Sequence, residues 1–100
     1  MQLPLEKDFQ TAYLKRLRLI PNSWWTKIND RVTVGLPDLF GSVAGYAVVI
    51  ELKTRSKVSK IQAYTLKKIG QTGAHAFVVT PDNADDVYSF LLELSQTPKL

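Results

Sequence analysis

Apolar residues recur at helical spacing over the first twenty positions. Leu5, Phe9, Ala12, Tyr13, Leu17 and Ile20 share a face, Pro4 suits a first turn, and Pro21 ends the run. From Trp24 to Val34 the chain reads as extended, including Arg31-Val32-Thr33-Val34, with a break at Asn29-Asp30. Gly35 and Pro37 punctuate it, and Gly41 to Gly45 reads as a turn between two strands. Tyr46 to Lys53 is the clearest strand. Val48, Ile50 and Leu52 face one way; Ala47, Val49, Glu51 and Lys53 face the other. Both faces stay apolar until Glu51, which predicts a central strand covered on both sides. A basic polar loop, Thr54 to Lys57, follows. Ser59 suits the N-cap of a helix through Ile61, Gln62, Leu66 and Ile69 that ends near Gly70 or Gly73. Ala74 to Thr80 reads as a buried strand. Pro81-Asp82-Asn83 leads into a last helix with Val87, Phe90, Leu91 and Leu94 inward. The order α-β-β-α-β-α predicts an α/β fold, a small mixed central sheet flanked by helices, in a single domain over residues 1–100.

Composition narrows the chemistry. Hydrophobic residues at 45% and charged residues at 22% fit a globular domain rather than a disordered chain. With no Cys and one His, a disulfide scaffold and Cys- or His-rich zinc centres are excluded, and little is left for a His-dependent triad. No apolar run approaches the ~18 residues of a membrane span, and MQLPLEKD lacks a signal pattern, so no membrane partner is expected. The net charge of +4 is uneven: residues 1–60 hold ten basic and five acidic side chains, residues 61–100 three and four. That surplus suits solubility or an anionic partner.

Three charged residues stand where a fold usually places apolar ones. Asp38 follows Pro37, Glu51 ends the most hydrophobic strand, and Lys53 projects from the same face as Glu51. Taken singly, Glu51 and Lys53 read as a same-face ion pair and Pro37-Asp38 as a turn. Together they suit a divalent cation: Mg²⁺ takes oxygen ligands and keeps waters, so one or two carboxylates hold it. Phosphodiester hydrolysis needs such an ion and a nearby cation, and no His or Cys.

Pro37-Asp38, twelve intervening residues, then Glu51-Leu52-Lys53 resembles the PD-(D/E)XK nuclease signature. Gly35-Leu36-Pro37-Asp38-Leu39, Gly45, Ile50-Glu51-Leu52-Lys53-Thr54, Ser59-Lys60-Ile61-Gln62 and Gly73-Ala74 resemble its VRR-NUC branch, in order from about Trp24 to Thr80. The resemblance implies a restriction-endonuclease-like core and an Mg²⁺- or Mn²⁺-dependent DNA endonuclease. It implies that Asp38, Glu51 and the Leu52 carbonyl bind metal, that Lys53 is the catalytic lysine, and that Gln62 lies beside the site. Glu6 matches the first-helix acid that often completes the metal shell; an acid favoured by the helix dipole is an equal reading. Asp8, on the same helix, points about 200° away. The family's name-giving Val-Arg-Arg is missing from these 100 residues, and no added DNA-binding domain is expected. That resembles stand-alone phage and bacterial members, which are intracellular, tend to be homodimers and cut branched DNA such as Holliday junctions. The rivals are a nuclease for plain duplex or single-stranded ends, and a catalytically silent nucleic-acid-binding module on the same fold.

The remaining signals are weighed on the residues alone. Arg55, Lys57, Lys60, Lys67 and Lys68 follow the site and suit phosphate contacts. Lys7, Lys15, Arg16 and Arg18 read as the charged outer face of an amphipathic helix. Trp24 and Trp25 suit core or dimer packing better than base stacking, and His75 suits packing at a strand end. Tyr88 and Leu92 widen the apolar stripe of the last helix, a candidate dimer surface.

Overall fold

The computed structural model describes residues 3–30, 32–97 and 99; Arg31 of the expected extended segment lies outside them. The elements are α1 (Glu6–Leu17), β1 (Ser23–Lys27), β2 (Leu39–Val43), β3 (Tyr46–Leu52), α2 (Lys60–Gln71), β4 (His75–Val79) and α3 (Ala84–Ser95). One four-stranded sheet runs in the order β1-β2-β3-β4. Its first three strands are antiparallel neighbours, and β4 lies parallel to β3 after the α2 crossover. The expected mixed sheet flanked by helices is therefore present, with one more strand than expected.

That strand, β2, occupies the segment expected to be a turn. Gly41 sits in it because a Cβ there would collide with the Trp25 indole of the neighbouring strand. The turn itself is only Ala44 and Gly45, both at positive φ (50° and 89°), as a two-residue hairpin with right-handed strand twist requires. The extended segment expected to reach Val34 stops at Lys27. The Ile28 N–H donates to the Asp38 carbonyl at 2.8 Å, and the Asp30 carboxylate then accepts from the Val32 and Thr33 amides, closing a local turn. At Gly35 (φ +86°) the returning loop passes so close to Ile61 of α2 that a Cβ would meet its side chain.

The core lies on one face of the sheet. Val48, Ile50 and Leu52 pack there with Tyr13 and Leu17 of α1 and Val87, Leu91 and Leu94 of α3. Tyr13 donates its hydroxyl to the Ala84 carbonyl at 2.9 Å, tying α1 to the start of α3. Burial pushes its phenol up to about 12. Leu5, Ala12 and Phe90, expected on inward faces, are exposed. Leu5 is the residue before α1 rather than within it, and Phe90 instead meets His75 and Phe77 edge-on. Tyr88 and Leu92 pack against the core, and the Arg16 guanidinium lies 4.1 Å over the Tyr88 ring, so neither is a free surface. No helix among the described residues is long and apolar enough to cross a membrane.

Candidate metal and phosphate site

The β2–β3 hairpin brings the two acids together. Its register pairs Leu39 with Ile50. One step further, Asp38 stands opposite Glu51; two steps further, Pro37 would face Leu52. Proline has no N–H, so the ladder cannot continue. The Leu52 N–H donates to Asp38 Oδ2 at 2.8 Å instead. No ladder donor from Pro37 is available to the Leu52 carbonyl. Pro37 thus ends the ladder at Asp38, whose side chain takes the Leu52 N–H in place of a backbone partner.

Glu51 is the buried polar residue of the core strand, at 2% exposure. Its Oε2 accepts from Gln62 Nε2 at 2.8 Å and lies 3.5 Å from Lys53 Nζ. Its Oε1 is buried with no hydrogen-bond partner among the described residues. Burial chiefly, then the Asp38 charge, raises Glu51 from 4.5 to about 7; Lys53 pulls it back and Glu6 adds to the rise. Burial also raises Asp38. The Leu52 N–H, Lys53 and Lys27 oppose that rise, and Glu6 reinforces it.

Gln62 is held at both ends. Ser59 accepts from the Gln62 backbone N–H at 3.2 Å, and the Gln62 side-chain oxygen accepts from the Ser59 N–H at 3.1 Å. This capping box starts α2 and leaves the amide NH₂ aimed at Glu51. Glu6, in the first turn of α1, accepts from the Thr54 N–H at 3.3 Å. Its charge is felt at both other acids. Even so, no group of three acidic, His or Cys side chains among the described residues is already closed around a metal position. Asp38 and Glu51 are the assembled pair, and Glu6 is the outlying member. Asp8 is exposed and makes no part of the cluster.

The basic residues divide. Lys57, Lys60 and Lys67 are exposed, whereas the exposed Arg55 donates to the Leu3 carbonyl at 3.1 Å. Lys60, Tyr64 and Lys67 form an exposed stripe at i, i+4, i+7, while Gln62 and Leu66 turn inward. Tyr64 is 60% exposed, and its place in the stripe is not visible in the sequence until α2 has a defined inward face. Trp25 is buried, as expected of core packing, and Trp24 is 61% exposed. His75 lies against Tyr46, Phe77 and Phe90, a packing role. Arg16 is not merely an outer-face charge: its Nη1 is 2.7 Å from Asp85 of α3.

A solved structure described as a VRR_NUC domain protein superposes on this chain with a TM-score of 0.76. The match covers 93% of this chain and 92% of the other, at 20% sequence identity. No protein-family model matches the chain, and no curated protein does. At that identity the likeness speaks to the fold alone: this chain is folded like that protein.

Proposed function

We propose that this chain is a divalent-cation-dependent DNA endonuclease of the VRR-NUC kind. The observation that carries the reading is Glu51: a carboxylate at 2% exposure, one oxygen unpartnered, set opposite Asp38 with Lys53 alongside. Two carboxylates and one amine in a buried corner are a liability for stability. They suit an ion that would partner the orphan oxygen. Asp38, Glu51 and the Leu52 carbonyl would hold it, with Glu6 near enough in charge to join them. Mg²⁺ or Mn²⁺, when bound, supplies a lowered pKa for water and a counter-charge for a phosphate oxygen.

The chain's own groups do the rest. Gln62 fixes the Glu51 carboxylate through one oxygen and leaves the other free. Lys53 brings its ammonium beside Glu51, where it can orient a nucleophile or meet the charge that builds on a phosphate in the transition state. Lys57, Lys60 and Lys67, with Arg55 at the loop, hold flanking phosphates without reading sequence. The resemblance of the sequence to stand-alone family members implies a branched DNA such as a Holliday junction as substrate. It also implies a two-fold homodimer, which would supply two sites for paired cuts on a symmetric junction. The same resemblance, to phage and bacterial members, implies a cytoplasmic location.

A panel of four-way, flap, duplex and single-stranded DNA with Mg²⁺, Mn²⁺ or EDTA tests the reading. Cleavage of the four-way junction in either metal and none in EDTA is expected; light scattering reads the dimer. Cleavage of duplex or single-stranded ends alone favours the plain-DNA rival. No cleavage of any substrate favours a silent binding module.

A further inference from the structure

On α1, Arg16 turns to Asp85 of α3, but Lys15 and Arg18 border a groove of about 480 Å³ that reaches Lys27 of β1 and Leu39 of β2. That volume falls within the roughly 300–1,000 Å³ of small-molecule sites. Leu14 and Leu39 form its more buried part, and Leu19, 74% exposed, lies at its lip. Three cations border it and no acid does. Among the described residues neither Lys15 nor Lys27 has an ion-pair partner. The groove is linked to the acidic pair by charge and by α1: Lys27 on its border is close enough to oppose the rise at Asp38, and Gln10, on the groove wall, is one helical turn from Glu6.

An apolar interior with a cationic border suits a ligand that is flat and apolar at one end and anionic at the other. A bare phosphate would make no use of Leu14 and Leu39. A base inside a duplex is stacked and paired, with its faces covered by its neighbours; only an unpaired base can leave the stack cheaply and lay a face on Leu14 and Leu39. We propose that this groove holds one unpaired nucleotide of the strand entering the site, its base against Leu14, Leu19 and Leu39 and its phosphate among Lys15, Arg18 and Lys27. The destination of that strand rests on the nuclease reading; the occupancy of the groove does not.

The test is a backbone-amide NMR titration of the full chain in EDTA with thymidine monophosphate, thymidine and inorganic phosphate as probes. Thymidine monophosphate is expected to shift amides of residues 10–19 and 27–39. It should bind at least about ten-fold tighter than either fragment, and Lys15→Gln with Arg18→Gln should weaken it about ten-fold. Leu19→Ser, at an exposed position that does not threaten folding, should weaken it a few-fold by loss of apolar contact. The proposal is overturned if the monophosphate binds no tighter than inorganic phosphate, if its shifts are confined to residues 54–60, or if folded variants bind it as wild type does. A responsive groove in a chain that cleaves nothing supports this site and counts against the nuclease reading. A cleaving chain with a silent groove does the reverse.

Discussion

Ile50 and Glu51 are neighbours on β3, at 0% and 2% exposure, and they point to opposite faces of one sheet. Ile50 meets a continuous apolar layer from α1 and α3. Glu51 meets an amide from α2, an ammonium from Lys53 just past the end of its strand, and on one oxygen nothing. Equal burial thus carries opposite energetic meaning. On the first face, removal of water from a side chain stabilises the fold. On the second, it disfavours the charged form of the group placed there. The sheet uses one face to hold itself together and on the other buries a carboxylate that destabilises it.

The largest expected effect lies on the second face. Glu51→Ala or Lys53→Ala should lower cleavage at least about 100- to 1,000-fold, with little loss of stability for Lys53→Ala, read by single-turnover rates beside thermal melts. A folded variant that cleaves at the wild-type rate would dismantle the assignment. Ile50→Ala should show the converse. It should destabilise by about 2–5 kcal/mol through the cavity left behind, while the cleavage rate per folded molecule is kept.

The pH dependence separates the faces further. Between 4.5, the ordinary Glu value, and about 7 in the folded chain, the folded state keeps a proton that the unfolded state has released. Metal-free stability should therefore fall as pH rises through that window and stay low above it. Glu51→Gln removes the ionisation. It should raise metal-free stability at pH 8 by about 1–3 kcal/mol and change it little at pH 4, as urea melts at both values would show. An equal gain at both pH values would mean that charge is not the cause.

Smaller effects belong to the residue that serves both structure and site. Gln62→Ala removes half of the capping box and the Glu51 hydrogen bond together. About 1 kcal/mol of stability and about 10- to 100-fold in activity should be lost. Ser59→Ala should cost a similar amount of stability with a smaller loss of activity, since Gln62 Nε2 can still reach Glu51. Equal activity losses in the two variants would make Gln62 a cap and no more.

The legibility of this molecule in its sequence follows the same division. The strand β3, the helix α2 with its Ser59 cap and the pairing of Asp38 with Glu51 are legible because alternation, capping chemistry and buried charge are local signals. The strand β2 is not, because Gly41 and Ser42 have the composition of a turn. Only the Trp25 ring, sixteen residues earlier in the chain, explains the glycine. The role of Pro37 in ending the ladder, and so in aiming Asp38 at the Leu52 amide, is equally invisible without the register. The groove beside α1 is hidden for a related reason: helical periodicity marks Lys15, Arg16 and Arg18 as one outer face, while the fold sends Arg16 to Asp85 of α3 and Arg18 to the Trp25 carbonyl of β1, and leaves Lys15 on the groove border.

The most direct test of the cation site is calorimetric titration of Mn²⁺ into the wild-type chain and into Glu51→Gln, at pH 8 and pH 6. Saturable binding to the wild type is expected at pH 8, weakened about ten-fold at pH 6 as Glu51 takes up its proton, and lost in Glu51→Gln at both. Equal affinity in wild type and variant would contradict a metal site built on Glu51.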